Sequence, residues 1–496
     1  MVFFLECHIF VLSLPQILDE RVTIEDLNGR IRDFFGFVPT KEQENALQTF
    51  SHFMFDREPH TLMILRGSAG TGKTSLAGAF VRTMVKLGQK VVLMAPTGRA
   101  AKVFSLNAGS AASTIHRKIY RQKGIVGGFD LDINLHKNTL FIVDEASMIA
   151  NDGMMESVFG SGCLLDDMMQ YVYGGENCRL LIIGDKAQLP PVGEEESPAL
   201  SKDFMRGYGM KVYEADLNEV LRQEQESGIL YNATVIRQMI THDELTQMPK
   251  VVFKGFADIR MVPGNELIES LNSSYSQVGI DETMVVTRSN KRANIYNMGI
   301  RNSILGREEQ LTTGDLLMIV KNNYYWTARD AEPANRQIQF LANGDRACVR
   351  RVRNIRSLYG FSFADVWLQL PDYDDYEIQA TVIMDSLLTE APALTREQSN
   401  MLFNNVLEDY ADIPTKPERM KRLREDMYYN SLQVKYAYAV TCHKAQGGQW
   451  AHIYIDQGYM TDEMLTPDYI HWLYTAFTRA TEKLFLVNWP KEQSDG

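Results

Sequence analysis

The stretch LMILRGSAGTGKTSLAGAFVRTMVK, residues 62–86, decides how the rest of the chain is read. A short apolar run leads into GSAGTGKT (67–74), and an amphipathic segment follows it. This is the full G-x-x-x-x-G-K-[ST] pattern in the strand–loop–helix setting that gives it meaning. Gly67, Gly70 and Gly72 let backbone N–H groups close on phosphate oxygens with no Cβ in the way. The helix that opens around Thr71 and Ser75 turns its positive dipole end toward the same anion. Lys73 supplies charge for the β- and γ-phosphates, and the Thr74 hydroxyl is a ligand for Mg²⁺. ATP and Mg²⁺ are the expected ligands of this loop.

Further along, VVLMA (91–95), LFIVDE (140–145) and RLLIIGD (179–185) are apolar runs that each end in a polar loop. Such runs predict buried parallel strands with helices between them. Asp144 ends one of them, where it would hold Mg²⁺, and Glu145 beside it is a candidate base for the attacking water. For an acidic pair alone, two capping carboxylates is the competing reading; a complete phosphate loop upstream outweighs it. Gln188, in LLIIGDKAQLPPVG, is placed to contact the γ-phosphate and the water, on a loop stiffened by Pro190 and Pro191.

At 496 residues the chain is too long for one hydrophobic core. Its apolar (45%) and charged (23%) fractions are those of an ordinary globular protein. A net charge of −12 argues mildly against nucleic acid as a partner, although only a groove needs to be positive. Five cysteines with no CxxC pair fit neither a disulfide framework nor a zinc site, and predict a reducing, cytoplasmic setting. The apolar start, MVFFLECHIFVLSL, is too short to span a bilayer and lacks the marks of a signal peptide, so residues 1–30 are expected to be a terminal extension. No other segment is apolar enough to cross a membrane. Buried-strand grammar returns in TMVVTRSN (283–290), AYAVTCHKAQG (437–447) and KLFLVNW (483–489). Between them, residues 343–387 alternate apolar and polar with turns, and 395–430 are charged and helical, which predicts an insertion.

The segments APTGRAA, TIHR, VDEAS, GDKAQLPPVG, EVLRQ, VTRSN, TCHKAQG and YTAFTRA occur in the order seen in superfamily-one helicases. Over residues 35–487 the chain resembles the RecD-like group, with its Dda-type and Pif-type members. The resemblance implies an α/β fold of two RecA-like P-loop domains. A β-hairpin insertion interrupts the first and an SH3-like β insertion the second. The implied limits are 31–215 for the first domain, with the hairpin or pin at 118–138. The second takes 216–342 and 435–496, and the insertion 343–434. Residue by residue, Gln43 falls where the family reads the adenine edge, and Arg222 and Arg479 where two arginines reach the γ-phosphate from the second domain. Pro96, Thr97, Arg99, Thr114, His116, Thr441, His443, Lys444 and Gln446 match DNA-contacting motifs; Gln446 faces both ligands in the family. Phe129 would be an exposed pin aromatic stacking on a splayed base pair, against the reading of an ordinary packed hairpin residue. Arg351, in the run Arg350, Arg351, Arg353 and Arg356, would hold the translocating strand, against a merely solvated strand face.

The implied activity is ATP-dependent 5′→3′ DNA unwinding by a monomer or DNA-dependent assembly on single-stranded and forked DNA. DNA repair and recombination are its natural settings. Two alternatives stay open: a nucleic-acid translocase or clamp that does not separate strands, and a P-loop NTPase acting without nucleic acid. The sequence departs from the family in a longer segment at 159–178, for which it suggests no mechanism.

Overall fold

The computed structural model describes residues 22–122, 129–151, 159–220, 226–242, 247–329, 338 and 340–495. The first sheet has six parallel strands, in the order Ala112–Thr114, Lys90–Ala95, Thr139–Val143, Arg179–Gly184, Thr61–Gly67, Lys211–Leu217. Its central strands are buried along their whole length, as the continuous apolar runs require of a sheet covered on both faces. Helix Lys73–Lys86 covers one face with Leu76, Phe80 and Met84, and Phe80 stacks on Phe50 of helix Lys41–Phe55 at 4.0 Å. Helix Leu164–Tyr173 covers the other with Leu165, Met168 and Val172, which gives the long segment 159–178 its structural role.

Helix Ile24–Phe35 corrects the expected extension. It starts in a capping box between Thr23 and Asp26 and buries Leu27, Ile31 and Phe35 in the first domain's core. Residues 24–30 are therefore part of that domain. An i, i+4, i+8 apolar spacing carried the signal.

The second sheet is also parallel: Ile259–Val262, Ala480–Val487, Trp450–Asp456, Thr283–Thr287, Ala439–Thr441. Beside it, Leu316–Ile319, Arg346–Leu358, Phe361–Leu370, Tyr376–Ile383 and Leu432–Tyr436 close into a five-stranded barrel. An insertion at 343–434 misses its first strand and cuts its last. Leu317 pairs with both Ala347 and Tyr436, and this pairing closes the barrel. Closure removes the exposed edges that an isolated antiparallel unit would carry. Barrel and second sheet share one apolar core, in which Leu317, Val349 and Tyr436 pack with Val285, Tyr454 and Phe485. The charged helices Arg396–Glu408 and Lys416–Arg424 brace the barrel's far end through Leu402, Val406 and Leu423 against Phe361 and Phe363. No described helix is long and apolar enough to cross a membrane. The four described cysteines, Cys163, Cys178, Cys348 and Cys442, are free.

Candidate nucleotide and nucleic-acid sites

The 67–74 loop runs from the end of strand Thr61–Gly67 to the start of helix Lys73–Lys86. Gly70 and Gly72 have φ of 74° and 76°, in the left-handed region that a side chain would strain. A Cβ on Gly67 would meet Thr71 Oγ1 at 3.0 Å. Thr71 Oγ1 in turn donates to the Ser68 carbonyl at 2.8 Å, closing the loop on itself.

Gln43 departs from its expected task. Its side chain is 1% exposed. Its Oε1 accepts from Thr40 N at 3.0 Å, completing the capping box of helix Lys41–Phe55. Its Nε2 donates to the Thr71 carbonyl at 2.9 Å. Both ends of the amide bond within the first domain, so the residue braces the phosphate loop, and it does not line the cavity over that loop.

A cavity of about 260 Å³ opens over the loop. Lys73, Thr74, Ser75, Glu145 and Gln188 line it from the first domain, and Thr478 and Arg479 from the second. Asp144, at the end of strand Thr139–Val143, is buried. Burial first, then the neighbouring Glu145 charge, push its carboxyl up to about 6, while Lys73 pulls the other way. Glu145 has φ of 55°, an uncommon conformation for a non-glycine residue that aims its side chain off the strand end. Glu145 Oε2 and Gln188 Oε1 are both buried without a hydrogen-bond partner. Unsatisfied buried acceptors are costly, and two facing one cavity call for a bound donor or cation.

Arg479 is 2% exposed and crosses from the second domain. It donates to the Thr475 and Gly448 carbonyls and to Thr478 Oγ1, each at 3.1 Å. Neutral oxygens hold it in place, so its charge stays available to the cavity. Arg222 lies outside the described residues.

A second cavity, also about 260 Å³, lies where both domains meet the barrel. Thr97 and Arg99 reach it from the first domain, Asn343 and Arg346 from the barrel, and His443, Lys444 and Gln446 from the second domain. Lys444 Nζ is buried without a partner. Burial, then the charge of Lys435, lower its pKa to about 8. An ammonium held this way is a site for an anion. Arg99 also ties the units together, through Gln449 O at 2.7 Å and ion pairs with Glu282 (3.4 Å) and Asp372 (3.7 Å). Pro96 lies beside Thr97, which caps helix Gly98–Ala108 by accepting from Ala100 N at 3.2 Å. Thr114 is buried and caps helix Ile115–Ile119. Thr441 is the N-cap of the turn carrying His443 and Lys444. Gln446 joins the two sites, since its Nε2 donates to the Leu189 carbonyl at 2.8 Å, next to Gln188.

One expected DNA contact, the exposed pin aromatic, is overturned. Phe129 is 2% exposed and packs on Tyr324 (4.5 Å), Phe159 (5.0 Å) and Phe340 (5.7 Å). Tyr324 and Phe340 come from the segment next to the barrel and cover the root of the hairpin, whose tip at 123–128 lies outside the described residues. His116 sits in the same aromatic cluster, 4.8 Å from Phe159. Burial lowers its pKa to about 4, so at neutral pH it meets a phosphate only as a neutral N–H donor. Arg351 is exposed, its guanidinium 5.3 Å from the Trp367 ring centre with Arg353 at 5.7 Å. Sequence reasoning missed Arg346, Asn343 and Tyr474. Tyr474 stands inside YTAFTRA, so its signal was present but masked by the arginine beside it.

Comparison with known proteins bears on both halves. The family model described as AAA domain matches residues 40–239, and that described as UvrD-like helicase C-terminal domain matches 436–487. The ATP-dependent RecD2 DNA helicase of Deinococcus radiodurans is 33% identical over 156 residues, 31% of this chain and 20% of that one. The ATP-dependent DNA helicase dda of Enterobacteria phage T4 is 25% identical over 307 residues, 60% of this chain and 64% of that one. Over these regions the chain is similar to RecD-like helicases of superfamily one. An uncharacterized protein, R530, of Acanthamoeba polyphaga mimivirus is 23% identical and aligns with 90% of this chain and 98% of its own length. The two matched family regions hold the two walls of the cavity over the 67–74 loop. Lys73, Glu145 and Gln188 fall in the first region and Arg479 in the second.

Proposed function

We propose that the chain is an ATP-dependent DNA helicase that travels 5′→3′ on single-stranded DNA and separates forked duplexes. The observation that carries this reading is the nucleotide cavity shared between two α/β domains. Lys73 and the loop amides hold the phosphates. Glu145 orients and deprotonates the attacking water, with Gln188 beside it, and Arg479 stabilises charge on the transferred phosphoryl from across the cleft. Because Arg479 acts from the second domain, hydrolysis follows closure and its end releases it. The residues present also fit Mg²⁺: the Thr74 hydroxyl and Asp144, whose buried carboxylate lacks enough compensating charge. When bound, Mg²⁺ neutralises charge on the β- and γ-phosphates.

The second cavity supplies the DNA reading. Lys444, Arg99 and Arg346, with the hydroxyl of Thr97 and the amides of Asn343 and Gln446, suit sequence-independent contacts to a phosphate backbone. The family resemblance supports the polarity. Strand displacement on forked duplexes with 5′ or 3′ tails tests it, and unwinding only from 3′ tails would sink it.

One observation favours a second reading, translocation without strand separation: Phe129 is packed away and cannot act as the pin. ATPase activity stimulated by single strands, with no duplex separation at a 5′ tail, is the outcome that selects it.

A further inference from the structure

The segment carrying Gln188 belongs to the first domain, yet the second domain holds much of it in place. Helix Pro467–Phe477 presents His471, Tyr474 and Thr475 to it, at i, i+3 and i+4 on one helix face. Tyr474 Oη donates to Asp185 Oδ2 at 2.6 Å and accepts from Ala69 N, within the phosphate loop, at 3.0 Å. Thr475 Oγ1 accepts from Leu189 N at 2.8 Å. His471 Nδ1 lies 2.9 Å from the Ala187 carbonyl. Asp185 Oδ1 accepts from Ala187 N at 3.0 Å, so the carboxylate passes the hold of Tyr474 on to Ala187, the residue before Gln188. Both neighbours of Gln188 are thus fixed from the opposite wall, while Gln188 Oε1 itself is buried and unpartnered.

We propose that Tyr474 is a positioning residue for hydrolysis: its hydroxyl aligns the Gln188 segment and the phosphate loop together, and only when the two domains are closed. The inference rests on the nucleotide-hydrolysis reading given above and adds a residue and a coupling route to it. Tyr474 is 1% exposed, and its ring packs in the second domain's core with Trp472 and Phe477. Replacement by phenylalanine keeps that packing and removes only the hydroxyl. What is lost is one bond to a carboxylate and one from a loop N–H. Gln446 reaches the same segment from the second cavity, through the Leu189 carbonyl. A strand bound at Lys444 and a nucleotide bound at Lys73 therefore bear on one short stretch of chain. Tyr474 fixes the end of that stretch at the phosphates, and Gln446 the end toward the strand.

The test is steady-state ATPase of the full chain, with and without an oligo-dT strand, for wild type, Tyr474→Phe and Thr475→Val. A charge-assisted bond of this kind carries a loss of roughly 10- to 100-fold in kcat when its hydroxyl is removed. The expected result for Tyr474→Phe is that loss, a KM for ATP within about threefold of wild type, and a reduced ratio of DNA-stimulated to basal rate. A structural defect alone would lower the active fraction and leave the stimulation ratio unchanged. Thr475→Val, which frees the other side of the segment, should show the same split, and it carries the test if Tyr474→Phe does not fold. Hydrolysis by Tyr474→Phe within twofold of wild type in kcat overturns the inference, as does a rise in KM at constant kcat. Wild-type protein that hydrolyses no ATP overturns the nucleotide reading itself.

Discussion

Replacing Gln43 by alanine separates two roles, brace of the phosphate loop and reader of a base. The side chain is 1% exposed, with its oxygen on Thr40 N and its nitrogen on the Thr71 carbonyl. Truncation removes a cap bond of about 1 kcal/mol and a buried methylene of about 0.8 kcal/mol, neither of which touches the nucleotide. It also strips the Thr71 carbonyl of its donor, a buried loss of roughly 1–2 kcal/mol felt inside the phosphate loop. At 1.4 kcal/mol per decade, that part alone raises KM by roughly 5- to 30-fold. The triphosphate feels this loss, not the base, so GTP should suffer by the same factor as ATP. The assay is kcat/KM for both nucleotides in wild type and Gln43→Ala. A site that reads a base edge by hydrogen bonding discriminates on the order of 10⁴-fold. A change of more than about tenfold in the ATP-to-GTP ratio would therefore refute the brace and restore Gln43 as a base reader.

Other outcomes follow from the same geometry. Lys444, with a pKa lowered to about 8, loses its proton above that pH and keeps it below, and a bound phosphate holds the proton on. Single-strand affinity should fall above pH 8 by up to about one decade per unit, and Lys444→Gln should flatten the profile; a wild-type profile flat from pH 7 to 9 would contradict the site. Phe129→Ala should destabilise the protein by roughly 3–5 kcal/mol, read as a drop in denaturant midpoint, without lowering unwinding relative to ATPase rate. Selective loss of unwinding would return Phe129 to the fork. Arg351→Gln should reduce the salt slope of DNA binding by about one; an unchanged slope would leave that face of the barrel solvated and idle.

What the sequence made legible follows from how narrowly the chemistry constrains residue type. Gly70, Gly72, Lys73 and Thr74 are fixed by local phosphate geometry, so a window of eight residues states their task. Apolar runs such as RLLIIG announced the central strands for a similar local reason. Most of the failures involve partners far along the chain. Phe129 looked exposed because its cover, Tyr324 and Phe340, lies about two hundred residues away. Leu316–Ile319 carries the same apolar signature as a RecA-type strand, and only its pairing with Ala347 and Tyr436 assigns it to the barrel. Gln43 matched a motif position, but the capping box that consumes its oxygen was written three residues earlier, at Thr40.

The aromatic cluster at the hairpin root has a mechanical consequence. Barrel and second sheet share a core and move as one piece. Besides the Arg99 ties to Gln449, Glu282 and Asp372, that piece touches the first domain in two chemically unlike places. At the nucleotide cavity the contacts are hydrogen bonds such as those of Tyr474 and Thr475, which water can replace at little net cost. At the hairpin root they are buried rings, Phe129 and Phe159 against Tyr324 and Phe340, which water cannot replace. A pivot at the rings is the outcome this contrast predicts for any opening of the cleft. Displacement would be smallest there and grow with distance, carrying Arg479 away from the 67–74 loop while the root of the hairpin stays nearly still.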